Sequence, residues 1–403
     1  MSGSGAGGDR PGGPEIARAR LARALHDSGR TPSPAVQAAF SSVPRHLFVP
    51  ELDLAAAYSD DALVIKYDAD GLPVSSSSQP AMMAIMAEQL GLEPGHRVLE
   101  IGTGSGYNAA VLAHIVGPGG RVVTIDLDPD LTGRARERLQ AAGYAAVAVR
   151  CADGGFGDPA GAPFDRVIVT AGVWDIAPAW LDQLGPGGRL VLPLSVRGIQ
   201  LSVALERRAD HWAAASAFRC GFVRMAGAFA DPEPLAFLGT ARYAQAGGGA
   251  PVPAGALAAA LSAGPVAEAR TGIGAASLAD VSDLDLWLTL TQPELGRLTV
   301  ISASPGGPLP FGGLTRGHGA GDLGIAALAR AGGEIAARGY GPGGPALAAD
   351  LAGLAPAWVQ QGRPGAASLR LTAWPPGPAP SAADGQLALG RPHIQLAAGW
   401  PAA

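Results

Sequence analysis

The chain has 403 residues, enough for two ordinary domains, and its 48% hydrophobic and 16% charged content excludes disorder throughout. Its 29 basic against 34 acidic side chains leave a net charge of −5, which gives no basic field for a phosphate backbone and argues against a nucleic-acid partner. The 59 glycines and 35 prolines crowd the N-terminal tail and the second half, so a compact front domain and a loop-rich back one are expected.

Residues 1–13 are Gly-rich and read as a disordered tail. A helix follows from Pro14 to Gly29, with Ala17, Leu21 and Leu25 on one face. A second helical stretch, 34–57, is interrupted at Pro44 and Pro50, which bracket Arg45-His46-Leu47-Phe48-Val49. An extended segment at 62–67 leads through a polar loop into Ser75-Ser76-Ser77-Ser78-Gln79-Pro80 and a Met-rich helix at 81–90, whose methionines suit a core. Strand and helix then alternate at 97–101, 109–116, 121–125, 131–142, 146–151, 166–170, 178–184 and 189–194, which predicts an α/β doubly wound parallel sheet. Runs at 201–206 and 217–225 suit an antiparallel pair at a sheet edge.

Gln245 to Ala254, rich in Gly and Pro, reads as a linker to a smaller C-terminal α+β domain over 245–403, after a front domain over 14–244. The C-terminal region offers strand patterns at 285–291, 298–302, 368–372 and 393–396, and helices near 322–337 and 345–361. Thr315-Arg316-Gly317-His318-Gly319 has glycines but no phosphate-binding lysine, and reads as a loop. Cys151 and Cys220 are the only cysteines. With no secretory pattern and no run of ~20 apolar residues, the expectation is a soluble, cytoplasmic, reduced protein without a disulfide or a membrane partner. The histidines show no ligand spacing, so no metal is expected.

The chemistry is carried by Val98-Leu99-Glu100-Ile101-Gly102-Thr103-Gly104-Ser105-Gly106-Tyr107-Asn108, a strand turning through glycines into a helix. Such loops sit at strand carboxyl ends and let a nucleotide-like ligand approach the backbone. Tyr107 stands where a dinucleotide loop needs glycine, and Glu100 would repel a pyrophosphate. A carboxylate there instead suits the ammonium of S-adenosylmethionine. Asp126, ending the next strand, is placed for the ribose hydroxyls and Asp153, one strand further, for the adenine, with their neighbours Leu127 and Gly154 as further cofactor-binding candidates. Cofactor-binding candidates are therefore Glu100, Gly102, Thr103, Gly104, Ser105, Gly106, Tyr107, Asn108, Asp126, Leu127, Asp153 and Gly154.

Over about residues 15–230 the sequence resembles the protein-L-isoaspartate O-methyltransferases. The resemblance runs through Val43 to Pro50, Ala57-Tyr58-Ser59-Asp60, Ser78-Gln79-Pro80, Val98 to Ala113, Asp153 to Gly157, Pro163-Phe164-Asp165, Gln183-Leu184, Gly187 to Leu190 and Phe222 to Met225. It implies a Rossmann-like S-adenosylmethionine-dependent methyltransferase fold. It also makes Ser78 the match to the family's active-site serine, able to donate to an acceptor carboxylate, with Ser77 and Ser76 as candidate helpers. The alternative for these serines is capping of the next helix. Tyr58 and Asp60 would shape a peptide groove.

Asn108 stands where repair enzymes usually have Gln, and the serine run replaces a shorter Gly-x-Thr-Ile-Ser. With the long C-terminal extension, these departures look like the methyltransferases of ATP-grasp (graspetide) systems. Such relatives methylate an aspartate of a cross-linked precursor peptide, and the ester closes to an aspartimide. The other readings are a general isoaspartyl repair enzyme and a non-catalytic peptide-binding partner. Arg224 is a weaker candidate for pairing with a substrate carboxylate.

Overall fold

The computed structural model describes residues 13–239, 242–246, 252–302, 311–317, 321–377 and 386–400. The expected disordered tail therefore lies almost entirely outside the described residues, as do His318, Gly319 and residues 247–251 of the expected linker. The chain forms two compact units, one of residues 1–66, 75–170 and 183–186, the other of 67–74, 171–182 and 187–403.

The first unit opens with helices α1 (Pro14–Asp27), α2 (Pro34–Ser42) and α3 (Leu54–Ala57), with a 3-10 turn at Arg45–Phe48. Strands β1 (Leu63–Tyr67) and β2 (Pro73–Ser77) pair as a hairpin before α4 (Pro80–Leu90). The alternating core follows as β3 (Arg97–Ile101), α5 (Tyr107–Val116), β4 (Arg121–Asp126), α6 (Pro129–Ala141), β5 (Ala148–Cys151) and β6 (Phe164–Val169). The strands run parallel in the order β6-β3-β4-β5. The chain winds outward from β3 to β5 and returns to β3's other side, so β3 marks the switch point where ligand crevices open in such sheets. Val98, Leu99, Ala109, Ala110, Val111 and Leu112 are fully buried, which is why β3 and α5 read as continuous apolar runs rather than amphipathic ones.

The second unit holds α7 (Pro178–Asp182), β7 (Leu184–Val196, from Gly187 on), β8 (Ile199–Arg207), β9 (Trp212–Arg219), β10 (Ala236–Gly239), β11 (Arg242–Ala246) and α8 (Ala254–Ser262). It continues with β12 (Ala267–Gly274), α9 (Leu278–Thr291), β13 (Gly296–Ser302), β14 (Phe311–Arg316), β15 (Gly324–Ala331) and β16 (Glu334–Tyr340). The last elements are α10 (Gly344–Gln360), β17 (Arg370–Trp374), β18 (Gln386–Gly390) and β19 (Gln395–Gly399). One antiparallel set runs β18-β19-β17-β9-β8-β7, and a separate sheet runs β10-β11-β13-β14-β15-β16-β12.

Four sequence expectations change here. Residues 285–291 are not a strand but the end of helix α9. Leu284, Leu286 and Leu288 are fully buried and Trp287 nearly so, and a helix buried all round leaves no face to distinguish it from a strand. A capping box between Ser277 and Asp280 starts it. Residues 322–337 form the hairpin β15–β16 rather than a helix, because Gly332 and Gly333 both take positive φ (60° and 85°), as a two-residue hairpin turn demands. The strand expected at 217–225 is β9, ending at Arg219. It is no edge, since β17 pairs with it through Thr372 opposite Ala213. No helix among the described residues is long and apolar enough to cross a membrane.

Candidate functional site

The loop after β3 turns on Gly102, Gly104 and Gly106, all at positive φ (100°, 51° and 86°). At Gly102 a side chain is excluded twice, by that φ and because a Cβ would lie 2.5 Å from Thr170 Oγ1. The Thr170 hydroxyl contacts Gly102 O at 2.7 Å and Ile101 O at 3.0 Å, which ties the loop to the end of β6. A Cβ on Gly104 would come within 3.3 Å of Ser76 O, so the loop and the serine strand lie against each other.

Asp126 ends β4 and accepts from Gly104 N at 3.0 Å and Asp128 N at 3.1 Å. Burial raises its pKa, with those amide donors opposing the shift. Asp153 accepts from Gly155 N at 2.9 Å. Gly154 is buried beneath it, where a Cβ would collide with Ile101 Cγ2 at 2.5 Å. Two large apolar side chains stay exposed beside these acids, Leu127 at 48% and Phe156 at 58%. Leu127 was among the residues expected from the sequence. Phe156 was not, although a lone aromatic among Gly154, Gly155 and Gly157 is the signal that could have found it.

Three expected ligand contacts are turned inward. Glu100 is fully buried, and its two oxygens accept from Asn108 Nδ2 at 2.7 Å and Thr124 Oγ1 at 2.5 Å. Thr124 in turn meets Thr103 Oγ1 at 2.9 Å. Glu100 therefore ties the loop, β4 and the first turn of α5 together. Burial pushes its pKa up to about 7, against the opposing pull of Thr124 and Asn108. Tyr107 is 1% exposed and packs in the core on Phe40 and Phe48, at ring separations of 6.3 and 5.6 Å. Ser105 is buried too, with its hydroxyl 3.2 Å from Ser77 Oγ and 3.3 Å from Tyr107 N.

Ser77 is thus committed to the loop. Ser78 is half-buried, and its hydroxyl meets no hydrogen-bond partner among the described residues. Neither serine caps α4, because Asp60 does so, accepting from Ala81 N at 2.8 Å and Gln79 Nε2 at 3.2 Å. That gives Asp60 a structural task at the start of α4. Arg45, within the Val43 to Pro50 stretch, is fully buried. Its guanidinium donates to Ala57 O at 3.0 Å, Ser77 O at 3.3 Å and Ser78 O at 3.0 Å, and lies 4.9 Å from the Tyr107 ring centroid. Arg224 is engaged within the second unit by Asp231 O and Glu233 O, at 2.7 and 2.6 Å.

The loop's amides are largely used within the fold, Gly102 N by Ile125 O, Gly104 N by Asp126 and Gly106 N by Thr103 O, which leaves the half-buried Asp126 and Asp153 carboxylates as the groups a ligand can meet. Lys66 is ion-paired to Asp128 and Asp130. Such a set, with glycines where a ligand would press on the backbone, suits a nucleoside without phosphates, held through its ribose hydroxyls. Among the described residues no group of three or more His, Cys, Asp or Glu side chains could hold a metal.

Residues 17–229 match the family model of the protein-L-isoaspartate(D-aspartate) O-methyltransferases. The chain is 44% identical over 195 residues to the protein-L-isoaspartate O-methyltransferase of Methanopyrus kandleri, covering 48% of this chain and 84% of that one. It is 40% identical over 222 residues to the enzyme of the same name from Hyperthermus butylicus, covering 53% and 90%. A solved structure of a protein-L-isoaspartate O-methyltransferase superposes on 88% of this chain and 96% of its own, with 24% identity and a TM-score of 0.50. That likeness extends the shared fold well past residue 229.

Proposed function

From the premise that this chain belongs to the protein-L-isoaspartate (D-aspartate) O-methyltransferase family and uses S-adenosylmethionine, we propose that its acceptor is an aspartate carboxylate in a cross-linked ribosomal precursor peptide. The observation that carries this reading is Ser78, a half-buried hydroxyl with no partner of its own among the described residues, held beside the glycine loop by Arg45 and Ser77. The Asn108 and serine-run departures support the finer substrate assignment. So does the segment 245–403, to which we give a substrate-docking role next to a catalytic domain over 14–244. The second reading is general repair of isoaspartyl proteins, favoured by the match to most of the length of relatives that carry that name.

When bound, the cofactor supplies an electrophilic methyl group on a sulfonium. A carboxylate is already an adequate nucleophile toward it, so the chain's task is positioning and exclusion of water rather than base catalysis. In this reading Ser78 donates to one carboxylate oxygen and leaves the other for the methyl, while Asp126 would hold the ribose hydroxyls and Asp153, with Leu127 and Phe156, the adenine. Once the ester has formed, the next backbone amide nitrogen attacks its carbonyl carbon. A C–N bond forms, and methoxide leaves with the amide proton as methanol.

Intact mass spectrometry of an isoaspartyl hexapeptide and of a cross-linked precursor peptide, each with enzyme and cofactor, tests the assignment. One methyl gained and then a net loss of one water, on the cross-linked peptide alone, is the expected result. Methylation of the hexapeptide alone returns the enzyme to repair. Asp126→Asn, which loses a charged acceptor, is expected to weaken cofactor binding about tenfold by titration calorimetry. Unchanged affinity would remove Asp126 from the site.

A further inference from the structure

Within the second unit lies a cavity of ≈ 770 Å³, inside the size range of small-ligand pockets. Its wall carries the guanidinium-bearing residues Arg219 and Arg297, and also the carboxylates Asp68, Asp231 and Glu233, of which Asp231 is ion-paired to Arg224. Arg219 and Arg297 share one carboxylate. Asp285 receives Arg297 Nη1 at 2.5 Å and Arg219 Nη1 at 3.2 Å. The Arg297 and Asp285 side chains are only 4% and 12% exposed, so one positive charge in this cluster is left without an ionic partner where water screens it poorly. Asp283 attracts Arg219 more weakly, and its carboxylate accepts from Ala366 N at 3.1 Å.

The excess charge has an open edge. Arg219 Nη1 is used by Asp285 and by Ser282 O at 3.1 Å, while Nε and Nη2 meet no partner among the described residues, and the side chain keeps 29% exposure. That free edge is the fork that receives a carboxylate through two parallel hydrogen bonds. Arg297 Nε is buried with no hydrogen-bond partner, a second sign that the cluster is one acceptor short. Gly312 makes room for it, since a Cβ there would lie 2.5 Å from Arg297 Nη2.

We propose that this cavity docks an acidic segment of the substrate peptide, with one side-chain or terminal carboxylate seated on the Nε–Nη2 edge of Arg219. The inference rests on the peptide-methylating reading above and names the chemistry of the part of the substrate that does not react. Arg219 lies within the residues matched by the family model, whereas Asp285, Arg297 and Gly312 lie beyond them, so the excess charge is assembled jointly by the family region and the C-terminal one. Pro73 and Val74 of β2 also line the cavity, and the same strand runs on in sequence to Ser77.

Two isoaspartyl peptides differing only in a glutamate or glutamine a few residues from the acceptor test it, alongside the anisotropy of a fluorescent Glu-containing peptide that has no acceptor. The wild type is expected to favour the acidic acceptor peptide about tenfold, through KM. Arg219→Gln brings that ratio close to one, Arg219→Glu inverts it, and both weaken the labelled peptide. Circular dichroism melts of the two variants show whether they are folded. A wild type without preference, or folded variants that keep it, overturns the proposal. Retained, Arg219-dependent binding of the labelled peptide with neither acceptor methylated would sink the methylation reading and leave the cavity assignment standing.

Discussion

Replacing Arg45 by alanine is expected to destabilise the first unit by about 3–5 kcal/mol and to cut methyl transfer at least a hundredfold. The side chain is fully buried, yet no carboxylate lies within ion-pairing distance of it among the described residues. Burial lowers its pKa, partly offset by Tyr107 and Asp60, and it is neutralised by three carbonyl dipoles and a ring face. Truncation would leave Ala57 O, Ser77 O and Ser78 O without their donor and open a void against Tyr107 and Met83. Two of those carbonyls belong to the serines in question, so the loss should fall on kcat more than on KM. Lysine has one ammonium for three diverging acceptors, and Arg45→Lys should recover part of the stability and little of the rate. Urea unfolding and steady-state kinetics on both variants decide this, and an alanine variant with wild-type kcat would contradict it.

Glu100→Gln should remove a pH dependence of stability that the wild type carries between about pH 4.5 and 7. The folded pKa of Glu100 is raised to about 7 from 4.5, so in this window the folded protein binds more protons than the unfolded chain. Stability contributed by this group is therefore greatest below pH 4.5 and falls as the pH rises, by about 3 kcal/mol in all. Asp128, Glu206 and Asp285 are held below their ordinary range and titrate at more acid pH, outside the window. Burial also raises Asp126 and Glu233, which add to this trend, and lowers His46 and His114, which oppose it; both proteins share these groups, so the difference between them isolates Glu100. Glutamine keeps the shape. Its oxygen can accept from Asn108 while its amide donates to Thr124, whose hydroxyl turns to Thr103, a contact in which either oxygen can be the donor. Denaturation midpoints at pH 5 and pH 8 should show the two proteins alike at the lower pH and the glutamine variant more stable at the higher. A gap equal at both pH values would show that Glu100 does not titrate there.

The glycine loop, Asp126 and the serine run were legible in the sequence because each sits at a strand end, where a break in apolar pattern marks a site. The direction in which side chains point was not. Glu100 and Tyr107 share the loop's stretch of sequence with residues that face outward, and only packing distinguishes them. Arg45 gave no signal, since a single arginine between prolines is most often solvated. In the second unit, α9 and the β15–β16 hairpin were exchanged for a strand and a helix because Leu-rich and Ala-rich runs carry little period when every face is covered. The Gly332-Gly333 pair was the available correction.

The pairing of β17 with β9 fixes an order of assembly. Ribosomes deliver chain from its N-terminus, so β7, β8 and β9 emerge with one rim of backbone amides and carbonyls open until residues 370–374 follow. During that interval the nascent polypeptide presents an unpaired strand, the kind of rim on which neighbouring chains add. Release factors or premature stops acting before Arg370 would make that transient rim permanent. Truncated products should therefore accumulate in the insoluble fraction, while the same truncation leaves every residue of the glycine loop in place.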